Sequence, residues 1–220
     1  MMHIHGMNVD HEQFIAHLKS QDPILCKWAM AQGPFSVSPT PFSPKRSFVE
    51  LCRAIIGQQL STKAAATIFQ RLSDWALTDG GLTPAFILNC TVQEMRHVGV
   101  SPQKATYLLA LSHAWTEQAR RFDSLNTLPD EEVIASLTQI KGIGIWTAHM
   151  FLIFTLNRPD VFAPGDLGIK KAMERLYGIS MASSESKYVT YAQRWAPYRS
   201  LACKHLWKVL DSNESAEVTL

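Results

Sequence analysis

Cysteine is sparse and badly spaced for chemistry. The four residues Cys26, Cys52, Cys90 and Cys203 include no C-x-x-C pair. This argues against a zinc site or a disulfide scaffold and fits a reducing compartment. Long apolar runs are missing as well, and the first residues, MMHIHGMNVD, lack the basic-then-apolar layout of a secretion signal. The expected location is intracellular: cytoplasmic in a bacterium, nuclear in a eukaryote. Excess charge of one sign is also absent, since 21 Lys+Arg stand against 19 Asp+Glu for a net charge of +2. Attraction to a polyanion must therefore come from local patches. Alternating strand patterns are nearly absent, and no repeat of solenoid length occurs.

What remains is a 220-residue chain, 46% apolar, enough for one large domain or two lobes. Its apolar residues recur at helical spacing, as in Phe48, Leu51, Cys52, Ile55 and Ile56, or Ala148, Phe151, Leu152, Thr155 and Leu156. Ile169, Met173, Leu176 and Tyr177 form a third such face. Asp22-Pro23, Ser61, Ser101-Pro102 and the Pro129–Glu132 run mark helix starts. Further helices are expected over 10–20, 22–32, 61–76, 91–97, 102–119, 130–139, 185–195 and 200–210. The proline-rich stretch 33–44 reads as a linker, and the acidic end with Asp211, Glu214 and Glu217 as a solvated tail. The fold class is all-α.

The densest information lies in 139–177. Lys141, Gly142, Ile143 and Gly144 form a tight turn between two apolar helices. Ile143 points inward to lock them, while the glycines let a ligand approach the main chain. The helix after Gly144 offers N–H groups and the positive end of its dipole, a site for phosphate. On its own such a turn is also an ordinary packing corner. Gly99-Val100-Ser101, followed by Lys104, echoes it faintly. Farther on, Asp166 opens a helix, where aspartate is a good N-cap and is favoured as the anion.

Taken together, L-x-x-I-K-G-I-G-x-W-T-A, a Pro-Gly loop and G-D-L-G-I-K resemble the helix–hairpin–helix DNA glycosylase superfamily, nearest its 3-methyladenine DNA glycosylase II branch. AIIGQQLSTKAA (54–65) and WAPYRSLACKHLW (195–207) are similar to its flanking motifs, so the resemblance covers residues 45–210. It implies one two-lobed unit over 1–220 with the active site between the lobes. A helical-barrel lobe of 45–156 ends in the hairpin, and 1–44 with 157–220 form the second lobe.

The resemblance also implies roles. Asp166 is the catalytic acid position, an anion beside a sugar that turns positive as its base leaves. Trp146, Trp207 and Met150 line the base pocket. Gln58 and Gln59 sit on the loop that wedges into the duplex, Gln59 the better candidate. Lys141, Gly142, Ile143, Gly144, Thr147, Lys63 and Lys170 contact the DNA backbone, with Lys171 a further candidate. Tyr198 and Arg199 support the pocket. A Na⁺ or K⁺ ion on the carbonyls of Ile140 and Gly142 is the one metal implied; no cofactor is. Members that also cut the strand carry a lysine two residues after the second glycine, a position held here by Trp146, and the four-cysteine iron–sulfur loop is lacking. The expectation is a monomer on damaged duplex DNA that flips an alkylated purine out and hydrolyses its glycosidic bond. The rivals are a glycosylase for deaminated or oxidised bases, and a damage-binding module without turnover.

Overall fold

A computed structural model describes residues 5–35 and 41–211; part of the proline-rich linker and the acidic tail beyond 211 lie outside the described residues. Every regular element among the described residues is helical, and none is long and apolar enough to cross a membrane. The chain divides into two compact units, Pro41–Leu156 and Met1–Thr40 joined with Asn157–Leu220.

The Pro41–Leu156 unit holds α3 (Pro44–Gly57), α4 (Thr62–Leu77), α5 (Pro84–Asn89), α6 (Val92–His97), α7 (Pro102–Glu117), α8 (Ala119–Asp123), α9 (Asp130–Thr138) and α10 (Ile145–Met150). The stripe expected on α3 is its buried face: Phe48, Leu51, Cys52, Ile55 and Ile56 are all solvent-excluded. Hydroxyls cap the helix starts, as expected at Ser61 and Ser101. Ser43, Ser61 and Ser101 accept from the N–H groups of Arg46, Ala64 and Lys104, and Thr91 with Glu94 forms a capping box. Three features were not expected. The helix foreseen over 102–119 stops at Glu117, short α5 and α8 appear, and α10 widens into a π-turn over Phe151–Thr155, where Leu156 N–H reaches Phe151 O at 3.0 Å.

The Gly99 echo has a structural basis. Gly99 and Gly142 share left-handed backbone, with φ of 99° and 95°, and each precedes a buried residue, Val100 or Ile143. At the first turn Ser101 caps the next helix; at the second Gly144 leaves it without a side-chain cap.

The other unit comprises α1 (His5–Gln21), α2 (Pro23–Gln32), α11 (Leu167–Tyr177), α12 (Glu185–Ala192) and α13 (Arg199–Asp211). Buried Asp22 joins three of its segments. Its Oδ1 caps α2 by accepting Leu25 N–H, while Oδ2 accepts the Tyr177 hydroxyl and the Trp195 indole N–H, both at 2.8 Å. Burial first, then the nearby Asp22 charge, pushes the Tyr177 phenol well above its usual range.

His205 is fully buried on α13, stacked on Phe14 with ring centroids 5.5 Å apart and bonded through Nδ1 to Gln32 Oε1 at 2.8 Å. Burial, then the charges of His11 and Lys208, lowers its pKa to about 3. The folded protein thus holds it neutral, whereas the unfolded chain takes up a proton near pH 6.5. Stability should fall as pH drops from about 6.5 toward about 3, with this group contributing a slope of about 1.4 kcal/mol per pH unit. Urea denaturation across that window should show a shallower dependence in His205→Gln, which keeps a donor for Gln32 but does not titrate.

Candidate active site

Asp166 closes a loop whose course is set by α13. Arg199 grips Asp160 through two parallel bonds, Nε to Oδ1 at 2.7 Å and Nη2 to Oδ2 at 2.9 Å. Burial alone would raise the Asp160 carboxyl, but the bonds and charge of Arg199 outweigh it and hold the group below its usual range. Ser200 N–H donates to Pro159 O, Val161 N–H donates to Ser200 Oγ, and the Cys203 thiol lies 3.7 Å from Val161 O. Arg199, Cys203 and Trp207 recur every fourth residue, so one stripe of α13 runs along residues 159–166. Arg199 therefore supports the acid-bearing loop itself.

At the loop's end Asp166 is the N-cap of α11 and is only 7% exposed. Its Oδ1 accepts two hydrogen bonds, from Ile169 N–H and from Trp207 Nε1–H, each 2.8 Å long. The first is what any capping aspartate makes; the second is specific to this site. Trp207, expected as an aromatic wall, also fixes the carboxylate through its indole edge. Gly168, which sequence reasoning passed over, lies against both partners: a Cβ there would stand 3.0 Å from Trp207 Cδ1 and 3.1 Å from Asp166 Oδ1.

In the Pro41–Leu156 unit the hairpin joins α9 to α10. Its two glycines answer to different constraints. Gly142 has φ of 95°, and a Cβ on it would overlap the ring of Tyr107 on α7. Gly144 has ordinary extended backbone, is exposed, and would meet nothing within 4 Å. The fold thus needs glycine at 142; at 144 only an approaching ligand would. Ala148 N–H is the first to donate within α10, to Gly144 O, so the amides before it stand outside the helical ladder.

The expected contacts sort unevenly. Lys141 and Lys63 are exposed, as is Lys171, while the Lys170 ammonium lies 5.6 Å from the Tyr188 ring centroid. Ile143 is the inward plug foreseen, but its N–H donates to Ile140 O, which removes it as a phosphate donor. Thr147 is buried on the inner face of α10 beside Ala148, so its hydroxyl is no surface contact. Trp146 is 46% exposed, which excludes a core role, and Met150 is half-buried.

The two glutamines also separate. Gln58 Nε2 donates to Gly142 O at 2.8 Å and braces the hairpin. Nearby, Lys104 Nζ donates to Ile56 O at 2.8 Å, tying the end of α3 to α7. Gln59 is exposed and holds a left-handed backbone, φ 56°, which strains a non-glycine residue. Of the carbonyls named for a cation, Gly142 O accepts the Gln58 amide and Ile140 O accepts Ile143 N–H, and each keeps a second lone pair. Among the described residues no group of three His, Cys, Asp or Glu side chains gathers to hold a metal ion.

Two apolar helices clasped by a glycine turn around a buried isoleucine define a helix–hairpin–helix protein. Residues 52–197 match the family described as HhH-GPD superfamily base excision DNA repair protein, and the chain belongs to that superfamily. It is 36% identical over 171 residues to DNA-3-methyladenine glycosylase 1 of Schizosaccharomyces pombe, covering 74% of this chain and 72% of that protein. Among solved structures it is similar to DNA-3-methyladenine glycosidase from Bacillus halodurans, with a TM-score of 0.75, 34% identity, and coverage of 89% of this chain and 88% of that one. An S. pombe 3-methyladenine DNA glycosylase in complex with abasic DNA gives a TM-score of 0.76 at 30% identity, covering 91% of this chain and 98% of that one.

The contrast between the glycines is testable. Gly142→Ala should cost at least about 2 kcal/mol in urea denaturation, through left-handed strain and collision with Tyr107. Gly144→Leu should stay within about 1 kcal/mol of the parent, yet bind damaged and undamaged duplexes more weakly by the same factor. A loss confined to damaged DNA would count against main-chain phosphate binding there. Gln59→Gly should relieve strain, stabilising the fold by about 0.5–1 kcal/mol while slowing base release; an unchanged release rate would deny this loop a role on DNA.

Proposed function

We propose that the protein is a monofunctional DNA glycosylase that excises alkylated purines of the 3-methyladenine and 7-methylguanine type from duplex DNA. The observation that carries this reading is the geometry of Asp166, a shielded carboxylate held by a main-chain and an indole N–H, at the position to which the sequence resemblance assigns the acid. As the base departs, the sugar gains positive charge. A fixed carboxylate stabilises that charge without having to reorganise, and it can orient the incoming water. Purines methylated at N3 or N7 are cations and good leaving groups, so the reading needs no strong general acid. An exposed indole such as Trp146 suits a flipped cationic base, both by stacking and by cation–π attraction.

Hydrolysis, rather than lyase chemistry, is supported by Trp146 standing where strand-cutting relatives have an amine. The hairpin amides near Gly144 and the exposed Lys141 suit a strand phosphate, which positions DNA without reading its sequence. The names of the relatives favour alkylated bases over deaminated or oxidised ones.

Duplexes carrying a methylated purine, hypoxanthine, uracil or 8-oxoguanine should show release of the methylated base above all others. Asp166→Asn should slow that release by about 10²-fold or more while DNA affinity stays near that of the parent. Equal rates would remove Asp166 from the mechanism. Borohydride should trap no covalent complex with DNA, and a trapped adduct would refute the hydrolytic assignment.

A further inference from the structure

Gly168 has no conformational reason to be glycine. It lies in regular α11, outside the left-handed region, where alanine is the better helix former. Its reason is spatial. A Cβ there would come within 3.0 Å of Trp207 Cδ1, 3.1 Å of Asp166 Oδ1 and 3.4 Å of Trp207 Nε1, so it would press on both ends of one hydrogen bond. Neither neighbour can yield cheaply. Asp166 is also held by Ile169 N–H, and Trp207 is a bulky ring on α13, whose stripe is anchored through Arg199, Ser200 and Cys203. A methyl group would be accommodated only by moving the indole and the carboxylate apart by a few tenths of an ångström.

We infer that Gly168 is a positioning residue, its missing side chain letting the edge of Trp207 close on Asp166 and fix the carboxylate's direction. The effect on rate rests on the glycosylase reading above; the contact itself does not. The capping bond from Ile169 ties Asp166 to its own helix, the indole bond ties it to α13 as well, and Gly168 makes room for the second.

The test compares the parent, Gly168→Ala, Trp207→Phe, the double variant and Asp166→Asn. Gly168→Ala should fold with a Tm within a few degrees of the parent's, the helix gain of alanine being set against the crowding at Trp207, and bind a duplex carrying a tetrahydrofuran abasic analogue within twofold of it. Release of 7-methylguanine should nevertheless fall about five- to tenfold. In the Trp207→Phe background, where the indole bond is already lost, adding Gly168→Ala should cost less than twofold more. Full additivity, or release at the parent rate by Gly168→Ala, would overturn the inference. A second readout does not need turnover: the Trp207 indole N–H resonance, assigned by its loss in Trp207→Phe, should move in both Gly168→Ala and Asp166→Asn. Should the parent release no methylated base while that resonance moves, the glycosylase reading fails and the positioning role stands. An unmoved resonance in Gly168→Ala sinks the positioning role whatever the activity.

Discussion

One oxygen atom organises the candidate site. Asp166 Oδ1 receives a main-chain N–H from its own helix and an indole N–H from α13. A capping aspartate is ordinary, and its usual contribution is to helix stability. The indole bond changes what the residue is, because it ties the carboxylate's orientation to a second helix. That helix is in turn fixed to the preceding loop by the Arg199–Asp160 pair and by Ser200. Hydrogen bonds to charged groups are worth about 1.5–3 kcal/mol, and the Arg199–Asp160 pair, about a quarter exposed, lies toward the lower end. Their larger importance is geometric: a carboxylate that must meet a transient charge has to be in place before that charge exists.

The hairpin solves a different problem by a related device. Here main-chain groups must be offered to a ligand, and nothing of the protein's own should cover them. Ser43, Ser61 and Ser101 spend their hydroxyls on the first turns of α3, α4 and α7; Gly144 has nothing to spend. Gly142 fits against Tyr107 and takes the Gln58 amide on its carbonyl, so the turn is packed on the inner side and open on the outer. The same Gln58 bond links the hairpin to the loop carrying strained Gln59. A shift in one would be felt in the other.

Much of this was legible in the sequence, for physical reasons. Helical faces are written as periodicity, and the α3 stripe is buried residue for residue. Caps are written as local chemistry, which is why Asp22, Ser61, Ser101 and Asp166 could be placed. Long-range contacts are not written locally. Nothing near Trp207 announces that its N–H goes to Asp166, and nothing near Gln58 distinguishes a brace from a wedge; both depend on residues the fold brings in. The burial of Thr147 was not legible, because the hairpin motif suggests surface whereas the α10 inner face runs through it. Short α5 and α8 carry too few residues for a periodic signal, and the π-turn at Phe151–Thr155 follows from packing, not composition.

Several departures from local rules gather at the candidate site. Gln59 takes a left-handed backbone, Gly168 interrupts a helix that alanine would suit, Gly144 leaves a helix start uncapped, and Trp146 and Ile145 hold large apolar surface in solvent. Each costs something, from a few tenths to about 1–2 kcal/mol by ordinary propensities. A sequence selected only for stability has easy repairs at most of these positions, and natural chains tend to break local rules where function demands it. These exceptions fall on three segments the motifs had singled out, the glutamine loop, the hairpin and the acid-bearing helix; others lie elsewhere, such as Asn157 with φ of 53° and Leu77 at 70% exposure. Stability alone gives no reason for the exceptions in those three segments, whereas the proposed activity supplies one for each: gripping a strand, holding it open and keeping a fixed anion at a sugar.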